Sequence, residues 1–172
     1  WQDIVDINSF SIGIELDYNP NGKNNKFSSK MISSLKKLNL KIKNKYKINK
    51  KNILAHSDIA PFRKKDPGKC FPWKLLEKEK IISNFKNITK NDAKIIEDWF
   101  KKYNIRSKKR IIIFALSLIG YDTRHVYKNL KHYNSLTTAY KSRYLTKFTY
   151  VNQETLYTNI IKHLFKNLLT KN

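Results

Sequence analysis

Cysteine is almost absent from this chain of 172 residues, because Cys70 is the only one. A single cysteine excludes an intrachain disulfide, although this says little about the compartment, since many exported proteins lack disulfides. Long apolar runs are also missing: the longest, from Ile111 to Ile119, is far too short to cross a bilayer. No signal peptide is visible. The chain begins with Trp1 instead of Met, so we expect an N-terminal segment, with any localisation signal, to precede it.

Acidic residues are scarce: 13 of them face 36 basic residues, which gives a formal net charge of +23. Such a charge is the usual footprint of a protein that binds a polyanion. The basic residues are spread along the whole chain, however, and Lys, Asn and Ile recur even in predicted loops. We therefore favour compositional bias as the explanation. Because no recognised nucleic-acid motif is present, we predict no specific nucleic-acid partner.

The first half of the chain shows an α/β pattern. Ile12, Ile14 and Leu16 alternate with Gly13 and Glu15, which predicts a strand with Glu15 on the opposite face from the aliphatic residues. Ser28 or Ser29 can cap a helix that carries apolar residues at helical spacing. Residues 53–55 predict a short buried strand that delivers His56. The fold expected for this half is a mixed sheet flanked by helices.

The second half is helical by pattern. Helices are predicted over residues 92–103 and 107–119, the latter with Gly120 at its C-terminal cap, then from Asn134 or Ser135, and from about Gln153. We predict three parts: residues 1–83 as the portion of a catalytic domain, residues 84–91 as a linker, and residues 92–172 as a small all-α domain.

The segment from His56 to Asp66 is the strongest candidate for chemistry. A lone histidine after an apolar strand is more often structural than a ligand. Asp66, however, follows in a loop with Pro61 before it and Pro67 after it, and such a loop can bring the carboxylate beside the imidazole. Both groups are good zinc ligands. A catalytic zinc takes about three protein ligands, and this motif supplies two.

Two further residues have competing interpretations. Lys64 is either a solvated charge or a cation that stabilises an oxyanion beside a metal. Glu15 is either a glutamate on a solvated sheet face or a buried carboxylate that orients or deprotonates zinc-bound water. Asp58 is predicted to cap the turn after His56. The remaining histidines show no ligand spacing and are interpreted as structural or surface residues: His125, His132 and His163.

These motifs together resemble a known family. The sequence SIGIEL at residues 11–16 is followed by HSDIAP at 56–61, RK at 63–64, DPG at 66–68 and FPW at 71–73. This series is similar to the zinc-dependent N-acetylmuramoyl-L-alanine amidases of type 2, which are related to the peptidoglycan recognition proteins, and most of all to their AmiD-like branch. The resemblance covers about residues 1–73 and is nearly word for word in the second motif.

The resemblance implies a zinc cofactor bound by His56 and Asp66, with Lys64 essential and Glu15 catalytic. The family has one more zinc ligand, a histidine on an early strand, and no histidine precedes His56, so we expect this chain to begin midway through the catalytic domain. The implied reaction is hydrolysis of the amide between N-acetylmuramic acid and L-alanine in peptidoglycan or muropeptides. A monomer in the cell envelope or periplasm is expected, with the cytoplasm as the alternative location.

The helical half resembles, more faintly, the small peptidoglycan-binding module that follows this catalytic domain in AmiD-like enzymes. The resemblance lies in the order and pattern of residues 119–122, 138–148 and 153–156. The alternative is a helical bundle without a ligand. The alternative to the enzyme as a whole is a degenerate or truncated peptidoglycan-binding protein without catalytic activity.

Overall fold

The computed structural model describes residues 1–19, 26–85, 87–146 and 150–169. These residues form α-helices joined by turns and extended segments. The α-helices are α1 (Ser29–Lys45), α2 (His56–Ile59), α3 (Trp73–Lys78), α4 (Lys90–Lys102), α5 (Lys108–Ile119), α6 (Leu130–Tyr144) and α7 (Gln153–Leu169). Short 3₁₀ helices add Ile7–Phe10 and Lys50–Asn52. None of the described helices is long and apolar enough to cross a membrane.

The predicted mixed sheet is wrong, because the described residues contain no β-strand. Residues 11–16 run extended, with Ile14 and Leu16 packed against a core and Glu15 exposed, so the alternation of faces is present. A strand also needs a neighbour to take its backbone hydrogen bonds, and no other described segment pairs with this one. Likewise, His56 does not end a strand: it begins the single-turn helix α2.

Two hydrophobic cores organise the molecule. The first, called here the N-terminal core, joins α1 and α3 to the segment around Ala55. Its buried members are Ile32, Leu35, Ala55, Phe71, Trp73, Leu76, Ile81 and Ile82. The predicted start of α1 is confirmed, since the Ser28 side chain accepts a hydrogen bond from the backbone N–H of Met31 at 3.1 Å.

The second core lies among α4, α5, α6 and α7, with α7 packed on both α4 and α5. Helix α5 contributes six buried residues to it: Ile111, Ile112, Ile113, Ala115, Leu116 and Ile119. The predicted limits of α5 are confirmed: Ser107 is its N-cap, and Gly120 ends it with a φ of +131°. Helix α6 begins earlier than predicted, at Leu130, because the Asn129 side chain caps its polar first turn.

The beginning of the chain reaches this second core. Trp1 contacts Tyr121 edge to face, with ring centroids 5.1 Å apart, and the backbone N–H of Gln2 donates to the carbonyl of Gly120 at 2.9 Å. Phe62 packs against the same core. The division into residues 1–83, 84–91 and 92–172 stays a prediction.

Candidate functional site

His56 and Asp66 lie side by side at the surface. The Nδ1 atom of His56 is 2.9 Å from Oδ2 of Asp66, and both side chains are substantially exposed. The backbone closes the loop between them, because the N–H of Ser57 donates to the carbonyl of Asp66 at 3.1 Å. The pair is therefore held together by main chain as well as side chain and is open to solutes.

Local hydrogen bonds shape the loop that separates the two residues. The N–H of Ala60 donates to the carbonyl of His56, which ends α2, and the N–H of Lys64 donates to the carbonyl of Ala60, both at 2.9 Å. Gly68 follows with a φ of +77°, a left-handed conformation that favours glycine. The tight turns allow ten residues of chain to return to their starting point.

The two predicted catalytic residues are placed differently. Lys64 is half-buried in the same loop, two positions before Asp66. Glu15 is exposed on the extended segment at 11–16 and makes no hydrogen bond or ion pair with another described residue. The structure thus brings His56, Lys64 and Asp66 into one loop and does not join Glu15 to them.

A metal ion would find two suitable donors here. An imidazole nitrogen and a carboxylate oxygen at hydrogen-bonding distance can turn toward one zinc ion, so the donor types fit. The donor number falls short, because no group of three or more His, Cys, Asp or Glu residues among the described residues could hold a metal. The two side chains are of the types that bind zinc, but a catalytic zinc site needs one more protein ligand than this pair supplies.

Asp58, two residues after His56, forms the most elaborate contact in this region. Its side chain is 0% exposed. Its Oδ2 accepts the backbone N–H of Ala55 at 2.8 Å, so it caps the start of α2, before His56, and not the turn after His56 that the sequence predicts. The Tyr121 hydroxyl donates to Oδ1 at 2.6 Å, and the Arg143 guanidinium forms a buried ion pair with Oδ2. We call Asp58, Tyr121 and Arg143 the Asp58 cluster.

Burial and charge set the protonation of this cluster. Burial alone would lower the pKa of Arg143, but the Asp58 carboxylate more than offsets this and raises it above its ordinary value. Burial, reinforced by the charge of Asp58, raises the pKa of Tyr121 well above its ordinary value. The guanidinium therefore stays charged, and the phenol stays a donor.

Sequence reasoning missed the long-range part of the Asp58 cluster. The sequence predicts a local capping role for Asp58, although on the turn after His56 and not on Ala55. Its partners are 63 and 85 residues away, and nothing in the sequence pairs them. The available signal was an acidic residue among apolar neighbours, which requires a partner when it is buried.

The three other histidines lie in the helical half, as predicted. His163 is buried, whereas His125 is exposed. Burial lowers the pKa of His163 to about 3, and the nearby Arg143 adds to this effect. The ring of His132 lies 4.7 Å from that of Phe62, in the loop between His56 and Asp66.

Comparison with known proteins finds a family that is similar to the part of the chain that carries this site. Residues 1–69 match the family described as N-acetylmuramoyl-L-alanine amidase. They contain His56, Asp66, Lys64 and Glu15. This part of the chain is similar to the N-acetylmuramoyl-L-alanine amidase family. We call residues 1–69 the amidase segment.

Curated relatives are also similar over part of the chain. The chain is 38% identical over 87 residues to N-acetylmuramoyl-L-alanine amidase AmiD of Escherichia coli, a match that covers 47% of this chain and 32% of that protein. It is 44% identical over 81 residues to 1,6-anhydro-N-acetylmuramyl-L-alanine amidase AmpD of Haemophilus influenzae, covering 46% of this chain and 39% of that protein. The matches thus span about a third of the length of these relatives.

Solved structures are similar beyond the amidase segment. AmiD from E. coli aligns with a TM-score of 0.63 at 23% identity, over 83% of this chain and 53% of that one. AmpDH3 from Pseudomonas aeruginosa aligns with a TM-score of 0.64 at 24% identity, over 84% of this chain and 56% of that one. Since the amidase segment is only about two-fifths of the chain, the likeness in fold includes helical residues that follow it.

Proposed function

We propose that this protein hydrolyses the amide bond between N-acetylmuramic acid and L-alanine in peptidoglycan or muropeptides. The observation that carries the proposal is the convergence of His56 and Asp66, 2.9 Å apart, within a segment that is similar to the amidase family. Hydrolysis breaks the C–N bond of the amide with one water molecule. The carbonyl carbon becomes a carboxylate on the muramic acid, and the stem peptide leaves with a free amine on its L-alanine. The reaction needs an activated water and a stabilised carbonyl oxygen.

Zinc is the proposed cofactor, with His56 and Asp66 as two of its ligands. A bound zinc ion supplies a Lewis acid and lowers the pKa of water. The pair fits zinc in donor type, and its open, exposed position leaves room for a further ligand and for substrate. Because a two-ligand site holds zinc weakly, the proposed activity depends on a third ligand from outside the described residues.

Lys64 and Glu15 are the proposed catalytic residues. Lys64 lies in the loop that joins the two proposed ligands, where its ammonium group can stabilise negative charge on the carbonyl oxygen. Glu15 is proposed to accept the proton of the attacking water. Its side chain is exposed and therefore accessible to water.

The proposed substrate class follows from the relatives. The structure of E. coli AmiD is a complex with the substrate anhydro-N-acetylmuramic acid-L-Ala-D-gamma-Glu-L-Lys. We propose a muropeptide of this kind for the present protein and a location in the cell envelope. The helical residues 92–172 are proposed to bind peptidoglycan, for which the likeness in fold beyond the amidase segment is the support.

A second candidate function is peptidoglycan binding without hydrolysis. The observation that favours it is the absence of a three-residue metal group among the described residues. A site with too few ligands to hold zinc firmly can retain substrate recognition after catalysis is lost.

One experiment separates the two functions. The protein as its gene encodes it, supplied with zinc, is incubated with purified muropeptides, and released stem peptide is measured by mass spectrometry. The proposal predicts release that a chelator abolishes and that His56→Ala or Asp66→Ala lowers at least a hundredfold. His125→Ala, an exposed histidine outside the loop, is the matched control and should leave release unchanged.

The binding arm uses insoluble cell wall in a pull-down at moderate salt, with free DNA as competitor. Wall binding without peptide release would favour the non-catalytic candidate. Neither release nor wall binding would overturn both.

A further inference from the structure

We infer that Arg143 and Tyr121, which lie outside the amidase segment, are positioning residues for the His56–Asp66 pair. They act through Asp58, and the interpretation of that pair as a site rests on the proposed function. The consequence is that the helical half forms part of the scaffold of the site, in addition to any role in wall binding.

The Asp58 cluster holds the chain immediately beside His56. Asp58 lies in α2, the single turn that His56 begins, and its carboxylate is shared by three donors: the N–H of Ala55, the Tyr121 hydroxyl and the Arg143 guanidinium. A helix of one turn has too few internal hydrogen bonds to be stable alone. Its position therefore depends on these donors.

Arg143 holds the same stretch at further points. While its Nη1 donates to Asp58, its Nη2 donates to the carbonyl of Ile53, three residues before His56. Its guanidinium also lies over the ring of Trp73, 4.5 Å from the centroid. Because a guanidinium is planar and presents its donors in a fixed fork, these contacts fix direction as well as distance. His56 thus lies in the chain between the Ile53 carbonyl and the Asp58 carboxylate, both of which one side chain holds.

A separate contact holds the middle of the loop. Phe62 lies between His56 and Asp66 in the chain, and its ring is 4.7 Å from that of His132. Both His132 and Arg143 belong to α6. The same helix therefore supports the start and the middle of the loop that brings the proposed ligands together.

The environment makes this support strong. Asp58 and Arg143 are 0% and 4% exposed, so removing one charge leaves the other buried without compensation. Losing the Arg143 side chain should therefore release α2 more readily than it unfolds α5 and α7, whose apolar contacts do not involve Asp58. Loss of local order in the loop, measured apart from global stability, is the signature of a positioning role.

Hydrogen exchange with mass spectrometry on the whole chain measures this directly, without zinc or activity. The reporting amides are those of Ser57, Ala60 and Lys64, which donate within the loop. The reference amides are those in the middle of α5 and α7. Arg143→Met should speed exchange in the loop by at least about a hundredfold relative to the reference amides, as expected for breaking a buried pair.

Three further variants complete the test. Arg143→Lys keeps the charge and loses the fork, so its effect should be smaller than that of Arg143→Met. Tyr121→Phe removes one donor to Asp58 and keeps the ring, and should speed loop exchange about tenfold. Arg110→Met, on the exposed surface of α5, is the matched control and should change nothing in the loop.

Unchanged loop exchange in Arg143→Met would overturn the inference, as would a uniform rise across the loop, α5 and α7. If Arg143→Met does not fold, Tyr121→Phe decides: selective opening of the loop supports the inference, and an unchanged loop overturns it. Failure of the amidase assay alone, with selective opening observed, would reject the proposed function and leave the positioning role intact.

Discussion

Lowering the pH should destabilise the protein through His163. This side chain of α7 is 6% exposed, and its ring stacks on Phe85 with centroids 4.8 Å apart, beside Tyr144 at the same distance. Its Nδ1 atom is buried without a hydrogen-bond partner among the described residues. Burial, and secondly the charge of Arg143, lowers the pKa of His163 from an ordinary 6.5 to about 3.

The sign of the effect follows from this difference. In the unfolded chain the imidazole takes up a proton below its ordinary pKa of 6.5, whereas in the folded chain it stays neutral down to about 3. The folded state is therefore fully favoured above 6.5 and loses stability as the pH falls toward 3. Each pH unit within that window corresponds to about 1.4 kcal/mol, so moving from pH 7 to pH 5 should cost about 2 kcal/mol.

Urea denaturation followed by circular dichroism, at pH 7 and at pH 5, measures this cost. His163→Phe keeps an aromatic ring against Phe85 and cannot be protonated, so its unfolding free energy should fall by about 2 kcal/mol less than that of the wild type. His125→Gln, which changes an exposed histidine, should follow the wild type. Equal losses in the wild type and His163→Phe would refute the assignment of the pH dependence to His163.

Three other variants test the fold, each by the urea midpoint. Gly120→Ala places a Cβ 2.8 Å from the indole of the first residue at a φ of +131° and should lose about 1–3 kcal/mol, while Gly13→Ala, with open space around it, is the control. Thr89→Ala removes the capping box of α4 and should lose about 1 kcal/mol; no change would mean that the cap is unimportant. Leu116→Ala leaves a cavity in the core and should lose about 2–5 kcal/mol, whereas Leu118→Ala, 40% exposed, should lose much less, and equal losses would contradict the assigned core.

The helices could be predicted where caps and apolar spacing agree. For α5, Ser107 and Gly120 mark the two ends, and the apolar residues from Ile111 to Leu116 between them predict a helix that is largely buried. The start of α6 was missed because its first turn is polar and Leu130 is exposed, so only the Asn129 cap marks it. Local signals thus locate an element when capping and burial coincide.

The sheet could not be predicted reliably, because pairing is not a local property. The alternation correctly separates Ile14 and Leu16, which pack on the core, from the exposed Glu15, but Ile12 is 50% exposed. The pattern also does not reveal whether another strand lies alongside. A period of two describes any extended segment that lies on a core. The predicted strand was inferred from the alternation of buried residues alone. A β-strand also requires a neighbouring segment that accepts and donates its backbone hydrogen bonds.

The candidate site was predictable to the extent that it is local. The residues that separate His56 from Asp66 fold back through hydrogen bonds within the loop, and the sequence of that loop indicates the return. The partners of Asp58 depend on the packing of α6 against the amidase segment, and the spacing of residues in the sequence does not indicate this packing. The catalytic role of Glu15 was inferred from the resemblance to the amidase family, and it stays a proposal.

The Asp58 cluster bears on the independence of the two halves. The family match ends at residue 69, yet the Asp58 carboxylate in the helix of His56 forms its ion pair with Arg143 and accepts a hydrogen bond from Tyr121, both beyond that point. Trp1, Phe62 and Ile53 each contact the helical half as well. A helical module that only tethered the amidase segment to the wall would need no buried charge pair between them, because a flexible linker suffices for tethering. A buried pair with shared hydrogen bonds instead fixes one relative orientation, so the residues after 91 belong to the architecture of the site.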